Sequence, residues 1–234
     1  MSRTPIIPAP QPVTLPIAGG SDVFPVRRIY LVGRNYLEHV REMKEGADER
    51  DPPFFFQKPR DAVMPDGATV PYPSATQSLH YELELVAAIA TGGRNIPSAR
   101  ALDHVYGYAI GIDLTRRDLQ TIAKDKGWPW EMGKSFDHSA PCGPVHPAGD
   151  VGHGPRTIAL KVNGAVRQNS TTAKMTWSVS EIISKLSEQY ELAPGDIIYT
   201  GTPEGVGAVV PGDRLEGAIE GLGTLTISIG PAKA

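Results

Sequence analysis

The sequence predicts a β-rich α+β fold made of one large domain. Two observations support this fold class. The 25 glycines and 22 prolines among the 234 residues fall mostly between short β-branched or alternating apolar runs, a pattern typical of strands joined by turns. Only a few short segments carry helix-start signals followed by an amphipathic pattern. We therefore expect strands to form the core and short helices to lie around it.

The first 24 residues predict an extended arm. Prolines recur through this stretch and are followed by two adjacent glycines, which indicates a turn and argues against a helix. The folded domain is expected to cover residues 25–234. It begins with a buried strand over Arg28–Val32, followed by a helix that Asn35 caps and that continues to about Met43. The charged stretch 47–53 is expected to be a loop.

Two further segments carry helix-start signals. Thr115 with Asp118 three residues later matches the capping-box pattern, and Gly127 is suited to end the helix. Ser178 and Glu181 repeat the pattern before an apolar stripe with helical spacing. We expect a short amphipathic helix at each place.

Composition excludes several classes of partner. Charged residues are 21% of the chain and the net charge is -3, so a nucleic-acid partner is not expected. The longest apolar run, Leu85–Ala90, is too short to cross a bilayer, and prolines interrupt the N-terminus where a signal peptide needs an apolar core. Cys142 is the only cysteine, which rules out an internal disulfide and a thiolate metal cage. We expect a soluble, cytoplasmic protein with no membrane partner.

Two glutamates alternate with apolar residues in the segment His80–Val86. As a strand, this segment places Glu82 and Glu84 on one face with His80, and Tyr81 on the other. Two carboxylates that share a face within a core strand are costly unless a cation compensates them. Alternatively, both face water on an edge strand. The segment alone does not decide between these readings.

A third carboxylate favours the cation. Asp113 ends the apolar, glycine-punctuated run Val105–Ile112, which predicts a strand that delivers its last side chain to a site. Three carboxylates without clustered histidine or cysteine ligands indicate magnesium, manganese or calcium rather than zinc. We therefore predict one divalent cation held by Glu82, Glu84 and Asp113.

Other polar residues have both a functional and a structural reading. His39 and Glu42 share one helix face, so a carboxylate-oriented base is one reading and a surface pair is the other. Lys134 is either a solvated loop residue or a cation that stabilises a developing oxyanion. On their predicted helix, Arg117 and Gln120 lie on the face opposite Leu119, Ile122 and Ala123. They either bind a substrate carboxylate or form the solvent-exposed side of the helix.

Two remaining motifs carry little functional signal. The glycine-rich segment Thr200–Gly207 lacks the lysine and hydroxyl ending of a phosphate loop, so nucleotide binding is not predicted. Cys142 has histidines near it in sequence, but this proximity is weak support for a catalytic thiolate.

Five ordered motifs resemble the fumarylacetoacetate hydrolase family over about Val26 to Ile229. They are Val32–Tyr36 with His39 and Glu42, His80–Leu85, Gly111–Gln120, Gly133–Asp137, and Thr200–Pro203. Ile112 departs from the family pattern, because many members have asparagine before the metal-binding aspartate. The proline-rich arm and the segments Pro53–Pro59, Trp128–Glu131 and Asp137–Pro141 are most similar to family members that act on fumarylpyruvate in the degradation of aromatic compounds.

This resemblance implies a mixed β-sandwich roll with peripheral short helices, usually assembled as a homodimer. It assigns the metal to Glu82, Glu84 and Asp113. It gives His39 and Glu42 the role of a water-activating dyad on a lid over the substrate, and Lys134 that of the oxyanion or enolate partner. The implied substrate-binding residues are Arg34, Arg117, Gln120 and Thr202.

The activity implied is metal-dependent hydrolysis of a carbon–carbon bond in an acylpyruvate, with fumarylpyruvate giving fumarate and pyruvate. Two alternatives stay open. A 2-keto acid decarboxylase or isomerase would use the same fold and metal. A non-catalytic keto-acid binding protein would keep the fold without needing a base.

Overall fold

The structure is a computed structural model that describes residues 5–43 and 50–232. Residues 1–4 of the predicted arm and 47–49 of the predicted loop lie outside the described residues. The helices are α1 Leu37–Glu42, α2 Arg117–Lys126, α3 Glu131–Lys134, α4 Ala148–Val151 and α5 Val179–Gln189, with 3-10 turns at Arg60–Ala62, Ser98–His104 and Thr172–Lys174. The strands are β1 Thr14–Pro16, β2 Val23–Pro25, β3 Ile29–Gly33, β4 Phe54–Lys58, β5 Val63–Met64, β6 Thr69–Pro71, β7 Leu79–Tyr81, β8 Leu83–Ile89, β9 Val105–Ile112, β10 Thr115–Arg116, β11 Ala140–Pro141, β12 His146–Pro147, β13 Thr157–Val162, β14 Ala165–Thr171, β15 Ile197–Tyr199, β16 Gly207–Val209, β17 Arg214–Ile219 and β18 Gly223–Gly230.

A six-stranded mixed sheet forms the centre of the molecule, in the order β12-β9-β8-β15-β3-β4. Its neighbours are antiparallel except β15 and β3, which are parallel. Every residue of β8 is buried, because the strand has a neighbour on each edge and a packed layer on each face. The predicted strands over Arg28–Val32 and Val105–Ile112 are confirmed as β3 and β9.

A second sheet packs against the first and carries the order β14-β13-β17-β18-β6. The largest apolar cluster among the described residues lies between these sheets and includes Leu83, Leu160 and Leu225. Contact is close at Gly217, where an added Cβ would lie 2.5 Å from Leu83 Cδ1. The predicted β-rich mixed fold with peripheral short helices is confirmed.

The N-terminal stretch forms a hairpin of β1 and β2. Leu15 and Phe24 are buried in a smaller apolar cluster on the other face of the central sheet. The hairpin also pairs with the segment that follows β11, because Val145 donates its backbone N–H to Pro16. The division into an arm and a domain at residue 24 stays a prediction.

The α5 helix begins as predicted. The Ser178 hydroxyl accepts from the Glu181 N–H, and the Glu181 carboxylate accepts from the Ser178 N–H, which completes the capping box.

Within the described residues, no helix is both long and apolar enough to span a membrane.

Two predicted helix caps are wrong. Thr115 lies in β10, and Arg116 is the residue before α2, without a side-chain cap. Asp118 accepts instead from the Thr76 hydroxyl at 2.5 Å and from the Gln77 N–H at 2.9 Å. Asn35 does not cap α1 either, because its amide bonds the backbone of Trp177 and Thr200. In both cases a partner distant in sequence replaces the local one.

The C-terminal ends of α1 and α2 agree with the predictions from the sequence. Gly127 follows α2 with a left-handed φ of 64°, a conformation that glycine adopts without steric cost. The α1 helix ends at Glu42, one residue before the predicted Met43.

Candidate active site

Three carboxylates meet where the chain passes between two sheets. Glu82 separates β7, which belongs to a three-stranded sheet, from β8 of the central sheet. The Asp113 N–H donates to the Glu82 carbonyl at 2.8 Å, so the end of β9 is fixed beside this break. Glu82 is 5%, Glu84 2% and Asp113 0% exposed. The alternative of an exposed edge strand is therefore wrong.

The three carboxylates have ligand geometry. One oxygen from each of Glu82, Glu84 and Asp113 lies within 4.8 Å of the others. Burial raises the pKa of Glu84 well above its usual range, and repulsion from Asp113 and Glu82 raises it further. A hard divalent cation would remove this repulsion, and all the ligand atoms are oxygens. The residues present therefore fit magnesium or manganese, and the oxygen-only set also admits calcium.

Lys134 lies inside the carboxylate cluster and not in a solvated loop. Its Nζ donates to Glu82 Oε2 at 2.8 Å, Asp113 Oδ2 at 2.5 Å and Thr115 Oγ1 at 2.7 Å. Arg117 donates to the other oxygen of Glu82. Burial disfavours ionised Glu82, but Lys134 and Arg117 outweigh it and hold the Glu82 pKa well below its usual range.

Lys58 is a site residue that the sequence reasoning missed. Its Nζ lies 2.9 Å from Asp113 Oδ1, and it donates to the carbonyls of Leu114, at 3.0 Å, and Lys134. Its side chain is fully buried. A signal was present in the alternation of β4, which places Lys58 on the same side as Phe54 and Phe56.

Glu84 has a backbone partner that was also missed. The Gly201 N–H donates to Glu84 Oε2 at 2.6 Å. Gly201 has a φ of 94°, and an added Cβ would lie 2.7 Å from the Asn35 side chain. The glycine is thus required for this close approach. The sequence analysis used this segment to exclude a phosphate loop and as a family motif, without assigning a role to Gly201.

His39 and Glu42 form the predicted pair. His39 Nδ1 lies 3.4 Å from Glu42 Oε2, and Glu42 also accepts from the Gly205 N–H at 3.1 Å. The His39 side chain is only 12% exposed, so it is not a surface group. Burial lowers the pKa of His39, and the charge of Glu82 opposes this effect only in part. A neutral imidazole with one nitrogen beside a carboxylate is suited to accept a proton at the other.

The α2 helix presents its polar side to the cluster. Arg117 donates to Gln120 Oε1 at 2.6 Å, and both residues are buried. Ile122 is 44% exposed, whereas Ala123 is buried with Arg117 and Gln120. The alternative in which Arg117 and Gln120 form the solvent-exposed side of the helix is wrong, because the helix packs these residues against buried carboxylates.

The last two predicted substrate residues lie on loops. The Thr202 hydroxyl donates to the Leu83 carbonyl at 2.8 Å and accepts from Gln168 at 2.8 Å. Arg34 has a φ of 61°, and its guanidinium lies 5.6 Å from the centre of the Phe54 ring.

These residues surround one cleft that is open to solvent. Every predicted site residue except Glu42 lines it, and Glu42 contacts His39. The wall also contains residues that the sequence reasoning did not select, among them Asn35, Phe56, Lys124, Trp130 and Gly201.

Cys142 lies outside this cleft. Its side chain is fully buried, and burial raises the pKa of the thiol to about 12. A thiolate nucleophile at this position is therefore not supported.

Comparison with known proteins accounts for this arrangement. The model of the family described as "Fumarylacetoacetate (FAA) hydrolase C-terminal" matches residues 28–229. The chain belongs to the fumarylacetoacetate hydrolase family. Membership explains why the five sequence motifs converge on one cleft of the fold.

Family members similar to this chain carry several activities. The fumarylpyruvate hydrolase of Ralstonia sp is 47% identical over 180 residues, covering 77% of this chain and 94% of that protein. The crystal structure of the Pseudomonas aeruginosa fumarylpyruvate hydrolase in complex with Mn²⁺ and pyruvate has a TM-score of 0.95 and 52% identity, covering 97% of this chain and 100% of that one. The mitochondrial oxaloacetate tautomerase FAHD1 of Homo sapiens is 41% identical, covering 87% of this chain and 91% of that protein.

Proposed function

We propose that this protein is a metal-dependent hydrolase that cleaves a carbon–carbon bond in an acylpyruvate, with fumarylpyruvate as substrate and fumarate and pyruvate as products. One observation carries the proposal: the carboxylates Glu82, Glu84 and Asp113 line one cleft with His39 and Lys134, and Glu42 contacts His39 from outside the wall. Fumarylpyruvate hydrolases at 47% and 52% identity support this choice of substrate.

In this proposal Glu82, Glu84 and Asp113 hold one divalent cation, magnesium or manganese. When bound, the cation supplies Lewis-acid polarisation of the pyruvyl oxygens. The crystal structure of the Pseudomonas aeruginosa relative, which contains Mn²⁺ and pyruvate, supports both the choice of metal and this end of the substrate.

His39 acts as the base in the proposed reaction. Glu42 orients the ring through Nδ1, and Nε2 accepts a proton from the water that attacks the fumaryl carbonyl. The pair of electrons in the broken carbon–carbon bond passes to the pyruvyl fragment as an enolate, which is then protonated at carbon to give pyruvate. The lowered pKa of His39 keeps the ring in the basic form at neutral pH.

Lys134 stabilises the negative charge that develops on the pyruvyl fragment. Its three Nζ donors are already directed to Glu82, Asp113 and Thr115, so the ammonium is fixed in place before substrate arrives. Arg117, Gln120, Arg34 and Thr202 are the proposed substrate-binding residues, and all of them line the cleft.

The principal alternative is a 2-keto acid isomerase or decarboxylase. The similarity to the human oxaloacetate tautomerase, at 41% identity, favours this alternative among non-hydrolytic activities. Such a reaction has no attack by water on a second carbonyl. A keto-acid binding protein without activity is less well supported, because binding alone does not need the His39–Glu42 pair.

One assay distinguishes these functions. Purified protein with Mn²⁺ is mixed with fumarylpyruvate, acetylpyruvate and oxaloacetate, and products are identified by mass spectrometry while absorbance of the conjugated diketo acid is followed. The proposal expects fumarate and pyruvate from fumarylpyruvate, and loss of this activity in H39A. Turnover of oxaloacetate alone would establish the alternative, and ligand binding without any product would indicate a binding protein.

We also propose a homodimer located in the cytoplasm. The family resemblance supports the dimer, and the single cysteine agrees with a reducing compartment. Light scattering after size-exclusion chromatography measures the oligomeric state. The pyruvate in the crystal structure of the Pseudomonas aeruginosa relative supports a small-molecule partner.

A further inference from the structure

A polar stripe on α2 runs along the cleft. Arg117, Gln120 and Lys124 are separated by three and four residues, so they share one face of the helix, and all three line the cleft. At 1.5 Å rise per residue, the backbone of Lys124 lies about 10 Å along the axis from that of Arg117. Arg117 is buried against Glu82, whereas Lys124 is half-buried. The stripe thus leads from the carboxylates toward solvent.

Cations lie at both ends of this stripe. At the inner end, Glu82, Glu84 and Asp113 are accompanied by three buried cations, namely Lys58, Lys134 and Arg117. Lys124 lines the cleft at the outer end. A carboxylate on the far end of a substrate is able to accept a charge-assisted hydrogen bond from its ammonium there.

An aromatic wall fills the distance between the two ends. The rings of Phe56 and Trp130 have centroids 5.8 Å apart, and both line the cleft. Lys124 Nζ lies 5.0 Å from the Trp130 ring centroid, within range of a cation–π contact that helps to orient the ammonium. A flat apolar surface that ends at a cation suits a planar, conjugated chain that ends in a carboxylate.

We infer that Lys124 binds the terminal carboxylate of the substrate and thereby selects 2,4-diketo dicarboxylates over acylpyruvates with a neutral end. This inference rests on the proposed function and specifies the substrate class of the same cleft. An extended seven-carbon diketo dicarboxylate spans about 7–8 Å between its end carbons, which suits the length of the stripe. Lys124 acts on substrate binding, so its contribution falls mainly on KM.

The test compares two substrates that differ at the far end, fumarylpyruvate and acetylpyruvate. The ratio of their kcat/KM values is expected to fall at least about tenfold in K124M, as for the loss of one charge-assisted hydrogen bond. K124R is expected to keep most of the ratio. K126M is the matched control, because Lys126 is on the same helix but outside the cleft wall, with Nζ 4.4 Å from the Trp128 ring centroid.

Two outcomes would overturn the inference. In one, K124M loses activity equally on both substrates. In the other, the ratio falls in R34M and stays at the wild-type value in K124M, which would assign the carboxylate to Arg34. Melting temperatures of all variants identify any that fail to fold. If K124M does not fold, the ratio of kcat/KM values in K124R is compared with that of wild-type protein, and a large fall in K124R would contradict the inference.

A binding measurement separates this inference from the proposed function. If wild-type protein hydrolyses neither acylpyruvate, the proposed function is wrong, and calorimetry with Mn²⁺ still decides the role of Lys124. Wild-type protein is expected to bind 2-oxoadipate more tightly than 2-oxohexanoate, which lacks the terminal carboxylate, and K124M is expected to lose that preference. An equal preference in wild type and K124M would contradict the inference.

Discussion

Lys58 Nζ lies 2.9 Å from Asp113 Oδ1, and neither side chain is exposed. This pair joins the outermost strand of the central sheet, β4, to the end of β9, where the carboxylates meet. Lys58 also donates to the Leu114 and Lys134 carbonyls. One buried ammonium therefore fixes both a proposed metal ligand and the backbone of a proposed catalytic lysine.

Replacing Lys58 should weaken metal binding. K58M leaves Asp113 without its cation at Oδ1, and loss of such outer partners costs about 10–100-fold in metal affinity. Calorimetric titration with Mn²⁺ measures the dissociation constant, and K161M, at an exposed position on β13, serves as the control. An unchanged dissociation constant in folded K58M would show that Lys58 does not position Asp113.

Activity should decline on the acidic side as His39 becomes protonated. Burial places its folded pKa below the ordinary value of about 6.5, so the basic form dominates at neutral pH and is lost as pH falls through the lowered pKa. Glu42 raises the pKa of His39. In E42Q the acidic limb of kcat/KM should therefore move to lower pH. A limb that stays in place in E42Q would contradict the assignment of that limb to His39.

Removing the divalent cation should abolish activity and lower thermal stability. A ligand that binds only the folded state at one hundred times its dissociation constant stabilises it by about 2.7 kcal/mol. Differential scanning calorimetry of chelated protein, with and without added Mn²⁺, measures this shift. D113N should lose the metal-dependent part of the shift, whereas D61N, at an exposed position in the 3-10 turn Arg60–Ala62, should keep it. A melting temperature that Mn²⁺ does not change would contradict a metal site at Glu82, Glu84 and Asp113.

The cap of α5 should contribute measurably to stability. S178A removes the hydroxyl that accepts from the Glu181 N–H and should cost about 1 kcal/mol of unfolding free energy. Urea denaturation measures the change. S184A, inside the same helix, is the control, since alanine is favoured in helix interiors. If both variants had equal stability, the capping box would have no net effect.

Sequence patterns predicted the elements whose signals are local. The capping box at Ser178 and the left-handed end at Gly127 depend on residues a few positions apart, and both are present. Strand β9 was predicted with its observed bounds because its residues form an apolar, glycine-punctuated run that ends at Asp113. The five family motifs supplied candidate site residues that the fold brings to one cleft.

Sequence patterns gave wrong or incomplete predictions where a residue distant in sequence determines the local structure. Thr115 has the spacing of a helix cap, but pairing with His80 draws it into a strand. Asn35 is equally suited to a cap, yet its amide joins two segments more than a hundred residues further along the chain. Lys58 precedes Asp113 by more than fifty residues, so no local spacing indicates their contact. The buried polar face of α2 exists only because buried carboxylates lie opposite it.

The change of sheet at Glu82 links the chemistry of the site to the folding of the chain. Side chains alternate along a strand, so a slip of β8 by one residue against β9 would put Leu83 or Leu85 in the place of Glu84. Such a mispaired chain could not assemble the three carboxylates. A cation that needs all three carboxylates binds only the chain in the native register, so metal binding stabilises the correct pairing of the central sheet.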